Sequence, residues 1–324
     1  MSGIRDDVEA AFPGVKLESE IQGYAFLERF MEGIERYEAL PEPTPADDRW
    51  AGVCYYQLLQ DEKALEHLER AIARGEQAAR INKAHLLPFL ERGDEAVIEL
   101  QKVRFDELSP YDKALYLRVQ SMQEETNGNL REALRAAEEA WSRIQGAPEY
   151  KALAPSILVQ LAILYARIGR AQRALWFLER SIPASGGHER LKIRVRRANV
   201  LIALGRLQEA ALELETKELE SASENYQAER TWLMGQIALA QGKLNEAVHS
   251  YTQAAEIAAR LGFSYEELMS RLALVSIFGS RADFSGATQH ISRAQELISD
   301  KSDRLSFRFR EVLLMLWQGR YTQS

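Results

Sequence analysis

The sequence predicts an all-α protein built of stacked helix pairs, and three observations carry that prediction. Almost no stretch alternates apolar and polar residues with the period of two that a half-buried strand requires. A glycine, an alanine five residues on and a second small residue seven beyond that recur as Gly128, Ala133, Ala140; Gly169, Ala174, Ser181; Gly205, Ala210; and Gly242, Ala247, Ala254. The alanine extends this register through Ala64, Ala96, Ala133, Ala174, Ala210, Ala247 and Ala287, with gaps of 32, 37, 41, 36, 37 and 40 residues. Such a period accommodates two helices of roughly 14 to 18 residues, about 21 to 27 Å long, and two short turns. Each period is therefore one helical hairpin.

Taken in order, residues 6–12 predict a short helix stopped by Pro13 and Gly14. From Ser19 the apolar spacing of Ile21, Tyr24, Leu27, Phe30, Met31, Ile34 and Tyr37 predicts one longer helix, placed to cap the first pair. Pro41, Pro43 and Pro45 end it, and Asp47 and Asp48 suit the first turn of the next helix. Within the repeats a small residue precedes most glycines by seven: Ser121, Ala162, Ala198 and Gly235. Helices crossing at about 8 to 10 Å need small side chains where their axes are nearest. The glycines at 128, 169, 205 and 242 can adopt a left-handed conformation and end each first helix without steric cost. They lack the Lys-Ser/Thr ending of a phosphate loop. Residues 303–318 predict a last helix that is apolar on more than one face, which makes Leu313 and Trp317 candidates for contact with a second copy or another protein.

The small residue, tyrosine, glycine and alanine positions resemble the tetratricopeptide repeat. Gly235, Gly242, Ala247, Tyr251 and Ala254 match best, and Gly52, Tyr55, Ala64, Leu68 and Ala71 match well. The resemblance implies a right-handed α-α superhelix of about seven helix pairs over residues 45–324, preceded by an N-terminal segment, residues 1–44, with its capping helix, and closed by a C-terminal helix. The mean gap exceeds the family's period of about 34 residues, and the unit at Ala96 is compressed. Longer units of this kind also resemble the helical sensor domains of some bacterial transcription regulators.

Composition excludes several function classes. With 324 residues and a net charge of −7, direct nucleic-acid binding is not expected of the molecule as a whole. No run reaches 18 uninterrupted apolar residues, so no membrane span is expected, and residues 1–7 carry no signal-peptide pattern, which points to the cytoplasm. Cys54 is the single cysteine, and the five histidines fall at no metal-ligand spacing, so neither a metal nor a cofactor is expected. Each histidine is expected on a solvated helix face, and Trp50, Trp141 and Trp176 are expected to pack inside. No catalytic motif stands out, so the chain is expected to bind without catalysing.

The densest functional signal is the run 188–199, which places five Lys and Arg residues in an acidic protein. Lys192, Arg196 and Asn199 share one helical face. In the resembled family the first helices of successive repeats line a concave groove. Alignment to the glycine anchors puts these residues, Arg118, Gln160, Trp232 and Gln236 on that surface. Lys192 and Arg196 look like the last pair of the carboxylate clamp that some family members use, with Gln160 near its middle position and Arg118 in place of its first lysine. Met122 stands where that clamp has an asparagine. Convergent Lys and Arg suit a carboxylate or phosphate; the alternative is that they pair with Glu209, Glu213 and other acids on neighbouring helices. Trp232 is read either as an anchor for a peptide side chain or as packing between repeats. The expected function is a scaffold that binds a protein or a peptide, with an acidic ligand or a C-terminal carboxylate among the candidates; the alternative is a sensor module in which a peptide or small effector controls a partner.

Overall fold

The computed structural model describes residues 3–90, 92–181, 187–220, 222 and 224–298, and among the described residues every regular element is a helix. The chain divides into two compact units, Met1–Ile193 and Arg194–Ser324. The predicted helix bearing Leu313 and Trp317 lies outside the described residues.

The first unit opens with α1 (Ile4–Ala11), α2 (Glu20–Phe26) and α3 (Phe30–Glu38), followed by the pairs α4 (Pro45–Gln57) with α5 (Asp61–Ala73), α6 (Ala79–Leu86) with α7 (Gly93–Gln101), α8 (Pro110–Thr126) with α9 (Leu130–Ile144), and α10 (Tyr150–Arg167) with α11 (Ala171–Ser181). It ends within α12 (Gly187–Ala203). The second unit takes the remainder of α12, then α13 (Leu207–Leu214), the single turn α14 (Lys217–Glu220), and the pairs α15 (Glu224–Ala240) with α16 (Leu244–Leu261) and α17 (Ser264–Ser280) with α18 (Phe284–Leu297). The compressed repeat is visible as α6, only 8 residues long, running into a 3-10 turn over Leu87–Leu90. Pro88 in that turn has no N–H to continue the α-helical ladder.

Glycine does end the first helices as its placement predicts. Gly128, Gly169, Gly205 and Gly242 have φ of 82°, 76°, 72° and 75°. The amide of the following residue reaches back to a carbonyl five residues earlier, as from Arg170 to Tyr165 at 2.8 Å and from Lys243 to Ala238 at 2.9 Å. Leu59 and Ala282 make the same turn with φ of 59° each, without glycine. The helix expected from Ser19 to Tyr37 is broken by this device too. Glu28 sits at φ 57° and the Arg29 amide donates to the Tyr24 carbonyl at 2.9 Å, separating α2 from α3.

Small residues lie where helices meet. A Cβ at Gly52 would stand 2.9 Å from Leu68 Cγ and 3.1 Å from the Ala64 carbonyl. The N-terminal helices cover the first pair through a shared core of Ile21, Ile34, Tyr37, Trp50, Cys54 and Leu68. Cys54 is fully buried, and burial pushes its thiol up to about 12. Two polar clusters lock α4 in place. Buried Asp48 accepts from Tyr37 Oη at 2.6 Å, Arg70 Nε at 2.9 Å and Arg74 Nη1 at 2.7 Å. Buried Arg49 donates to Asp112, to Asn82 Oδ1 at 2.9 Å and to Glu18 Oε2 at 3.3 Å, joining α4 to α6 and α8. The helix start that supplies these residues carries a capping box, Thr44 with Asp47, and Pro45 in its first turn.

Trp50 is buried as expected, but Trp176 is not: it is 48% exposed. The positions of α11 that face the core are Ala174, Leu175, Phe177, Leu178 and Ser181, which leaves residue 176 outside that stripe. The Arg180 guanidinium covers its ring at 4.6 Å.

Candidate functional site

The residues that the sequence places on the first-helix face can be followed from Arg118. Helix α8 starts at Ser109, whose Oγ accepts from the Asp112 amide at 3.1 Å, with Pro110 in the first turn. Its buried positions include Ala114, Leu115, Leu117, Val119 and Ser121. Arg118 and Met122, four apart, stay partly buried beside one another, with Arg118 Nη1 3.3 Å from Met122 Sδ. Arg118 Nη2 lies 3.3 Å from Nε2 of His85 on α6.

His85 is the centre of an aromatic cluster. Its ring stands 5.2 Å from Tyr56 of α4 and 5.8 Å from Phe89, both in edge-on geometry, and the Tyr56 and Phe89 rings are 5.8 Å apart. Phe89 is 56% exposed, so one wall of the cluster faces solvent. The imidazole is held well below its ordinary range, first by burial and then by the positive charges of Arg118 and Lys192. His85 is therefore neutral at neutral pH, with Nε2 oriented to accept from Arg118. The positive charges of Arg118 and Lys192, which the sequence assigns to separate repeats, both act on this ring in the same direction.

Gln160 has a different neighbourhood. It is buried on α10, and its Nε2 donates to Glu125 Oε2 at 2.8 Å and to Ser121 Oγ at 3.4 Å. Arg167 adds a contact to the same Glu125 at 3.1 Å. Gln160 thereby ties α10 to α8 one to two turns beyond Arg118.

In the second unit, Arg196 is joined to Glu229 of α15 at 2.7 Å, and Arg194 and Arg197 share Glu213 at 3.5 and 2.6 Å. An anion approaching Arg196 competes with that carboxylate. Asn199 is exposed. Trp232 and Gln236 are partly buried on α15, and Trp232 packs on a core of Ala238, Ala247, Tyr251, Leu274 and Ile277.

The sequence did not single out His85, Tyr56 or Phe89. It placed the histidines on solvated faces, whereas His67 is buried between Tyr37 and Tyr55, with ring centroids 5.0 and 4.8 Å away, and His85 and His290 are partly buried. Burial is the larger cause, with neighbouring arginines, that holds all three below the usual histidine range. Among the described residues no group of three or more His, Cys, Asp or Glu is placed to hold a metal, and no described helix is long and apolar enough to cross a membrane. A shallow depression of about 660 Å³ beside Pro13, Trp141, Pro148 and Arg180 shares no residue with the His85 cluster.

Fold and repeat geometry together define a helical-repeat protein of the tetratricopeptide type. Residues 231–260 match the tetratricopeptide repeat model itself, the segment that holds Gly235, Gly242, Ala247, Tyr251 and Ala254. No curated protein matches the chain in sequence. Solved structures that share its fold include the following three. A Rap protein complexed with Competence and Sporulation Factor superposes with a TM-score of 0.66 at 14% identity, over 94% of this chain and 85% of that one. The apo form of the quorum sensor NprR from B. thuringiensis gives 0.62 at 14% identity, over 92% and 82%. A human IFIT1 dimer with PPP-AAAA gives 0.58 at 14% identity, over 87% and 72%.

Proposed function

We propose that this chain is a non-enzymatic scaffold that binds a protein segment or peptide along the face formed by the first helices of its pairs. The observation that supports this most is the exposed Phe89 ring packed with Tyr56 and His85, with the Arg118 guanidinium 3.3 Å from His85 and the positive charge of Lys192 also acting on that imidazole. Aromatic side chains supply contact area at low entropic cost, and convergent cations supply direction. Within the second unit Arg196, Asn199, Trp232 and Gln236 are the further proposed contacts, and in the first unit Gln160, which ties α10 to α8, is another. The ligand carries an acidic group or a free C-terminal carboxylate. We propose Leu313 and Trp317 as a contact for a second copy or for another protein.

A peptide as ligand fits the fold's occurrence in a Rap protein complexed with a factor and in a quorum sensor. The second of these favours an alternative in which the bound peptide regulates a partner. A regulator changes hydrodynamic radius when its peptide is added, whereas a static scaffold only gains the peptide's mass.

The test is selection from a random peptide library with free C-termini, followed by calorimetry on the enriched sequences. The reading expects enriched peptides whose affinity falls about tenfold or more in an Arg118→Gln, Lys192→Gln variant that folds normally. No enrichment over a surface without protein, or binding untouched by that variant, contradicts it.

A further inference from the structure

The cluster around His85 carries a more specific reading, which rests on the peptide-binding proposal above. We infer that His85, Arg118 and Lys192 form a subsite that takes up one carboxylate of the ligand together with a proton, while Phe89 and Tyr56 hold the apolar side chain next to that carboxylate.

The geometry supplies each part. Neutral His85 accepts at Nε2 from Arg118 across 3.3 Å, a long contact for a hydrogen bond to a charged donor. From α4 it meets the edge of Tyr56, from the turn after α6 Phe89, from α8 Arg118, and from α12 the charge of Lys192. Arg118 and Lys192 act on the imidazole with positive charge, which opposes its protonation. A carboxylate placed between the guanidinium and the imidazole reverses that sign. Arg118 then donates to the carboxylate instead of to Nε2, and Nε2 takes a proton from solvent and donates to the same group. One negative charge enters and one proton follows it.

The apolar half of the subsite fixes what the carboxylate is attached to. Phe89 is a large hydrophobic side chain more exposed than buried, with its ring at right angles to His85 and within 5.8 Å of it. An aromatic or long aliphatic residue bearing the C-terminal carboxylate spans the two, and a simple inorganic anion uses only one. The site therefore favours a peptide that ends in such a residue over phosphate or acetate.

The experiment uses the full chain with isotope-labelled histidine and follows the His85 ring by NMR while N-acetyl-L-phenylalanine is added, with N-acetyl-L-phenylalaninamide and phenyl phosphate as separate probes. Calorimetry in buffers of different ionisation enthalpy counts the protons. The acid is expected to move His85 to its imidazolium position and to take up close to one proton per molecule bound, the amide to do neither, and the acid's affinity to fall as pH rises from about 6 to about 8. A His85→Asn variant with an unchanged melting profile is expected to bind with no such pH dependence, and Arg118→Gln to bind about tenfold more weakly. Acid and amide binding alike, binding with His85 still neutral, no binding of the acid, or protonation by phenyl phosphate alone each overturn the assignment. The wild-type spectrum decides even if the variants misfold. Library-selected peptides that bind while His85 stays neutral separate failure of this subsite from failure of the peptide-binding reading, which only the absence of any such peptide removes.

Discussion

Arg49 on α4 and Asp112 on α8 form a salt bridge in which both side chains are withdrawn from solvent, 1% and 5% exposed, between residues that lie 63 positions apart in the chain. Glu18, Asn82 and Ser109 complete the hydrogen bonding around them. Removing one partner of such a pair strands the other as an uncompensated buried charge. Arg49→Leu is therefore expected to cost about 3 to 5 kcal/mol in urea unfolding, and Arg49→Leu with Asp112→Asn much less than the single change. Equal losses in the single and double variants contradict this.

Gly235 and Tyr251 hold α15 against α16 by contact alone. A Cβ at 235 would lie 2.9 Å from two atoms of the Tyr251 ring, which is itself buried. Gly235→Ala is expected to destabilise the chain by about 1 to 3 kcal/mol despite the better helix propensity of alanine, and Tyr251→Leu in that background to recover part of the loss. A neutral or stabilising Gly235→Ala removes the close-approach account of the small positions.

Leu59 occupies the left-handed turn position that glycine fills in other pairs, with φ 59° and its side chain 63% exposed. The strain of a branched residue there is about 1 to 2 kcal/mol, partly offset by the larger chain entropy of glycine. Leu59→Gly is expected to raise stability by roughly 0.5 to 1 kcal/mol. Lowered stability on that change shows that Leu59 contributes a contact which its exposure does not suggest.

The histidines set the direction of the pH dependence. His67, His85 and His290 are held below the ordinary value of 6.5, by burial first and then by Arg70, by Arg118 with Lys192, and by Arg271 respectively. Below about pH 6.5 the unfolded chain takes protons that the folded chain refuses, so stability falls as pH drops through the window between the unfolded and folded values. Each imidazole contributes at most about 1.4 kcal/mol per pH unit. Denaturant midpoints are expected to decline between about pH 7 and pH 5, and less steeply in His85→Asn. A flat or rising midpoint over that range contradicts the burial of these rings.

What the sequence made legible was local. Spacing alone found the turn glycines and the small contact residues such as Gly235, because both are dictated by backbone geometry within one hairpin. It missed the same turn at Glu28, Leu59 and Ala282, where tertiary packing holds a non-glycine residue in the left-handed region. It assigned Arg118 and Lys192 to one expected face but did not single out the ring cluster at His85. Tyr56, His85 and Phe89 meet only because α6 is cut short and runs into the turn at Leu87–Leu90, and no periodicity in the sequence encodes that register. Gln160 shows the opposite limit: its alignment to the glycine anchors fixes a face, while Glu125 and Ser121 decide where its amide goes.

Site-specific photocrosslinking tests the central claim most directly. A benzophenone side chain in place of exposed Phe89, after first helix α6, is compared with one in place of Ile98, 49% exposed on second helix α7, using one library-selected peptide. The account predicts adducts from position 89 that excess unlabelled peptide suppresses, and none from position 98. Adducts from 98 and none from 89 would show that the ligand binds the other face.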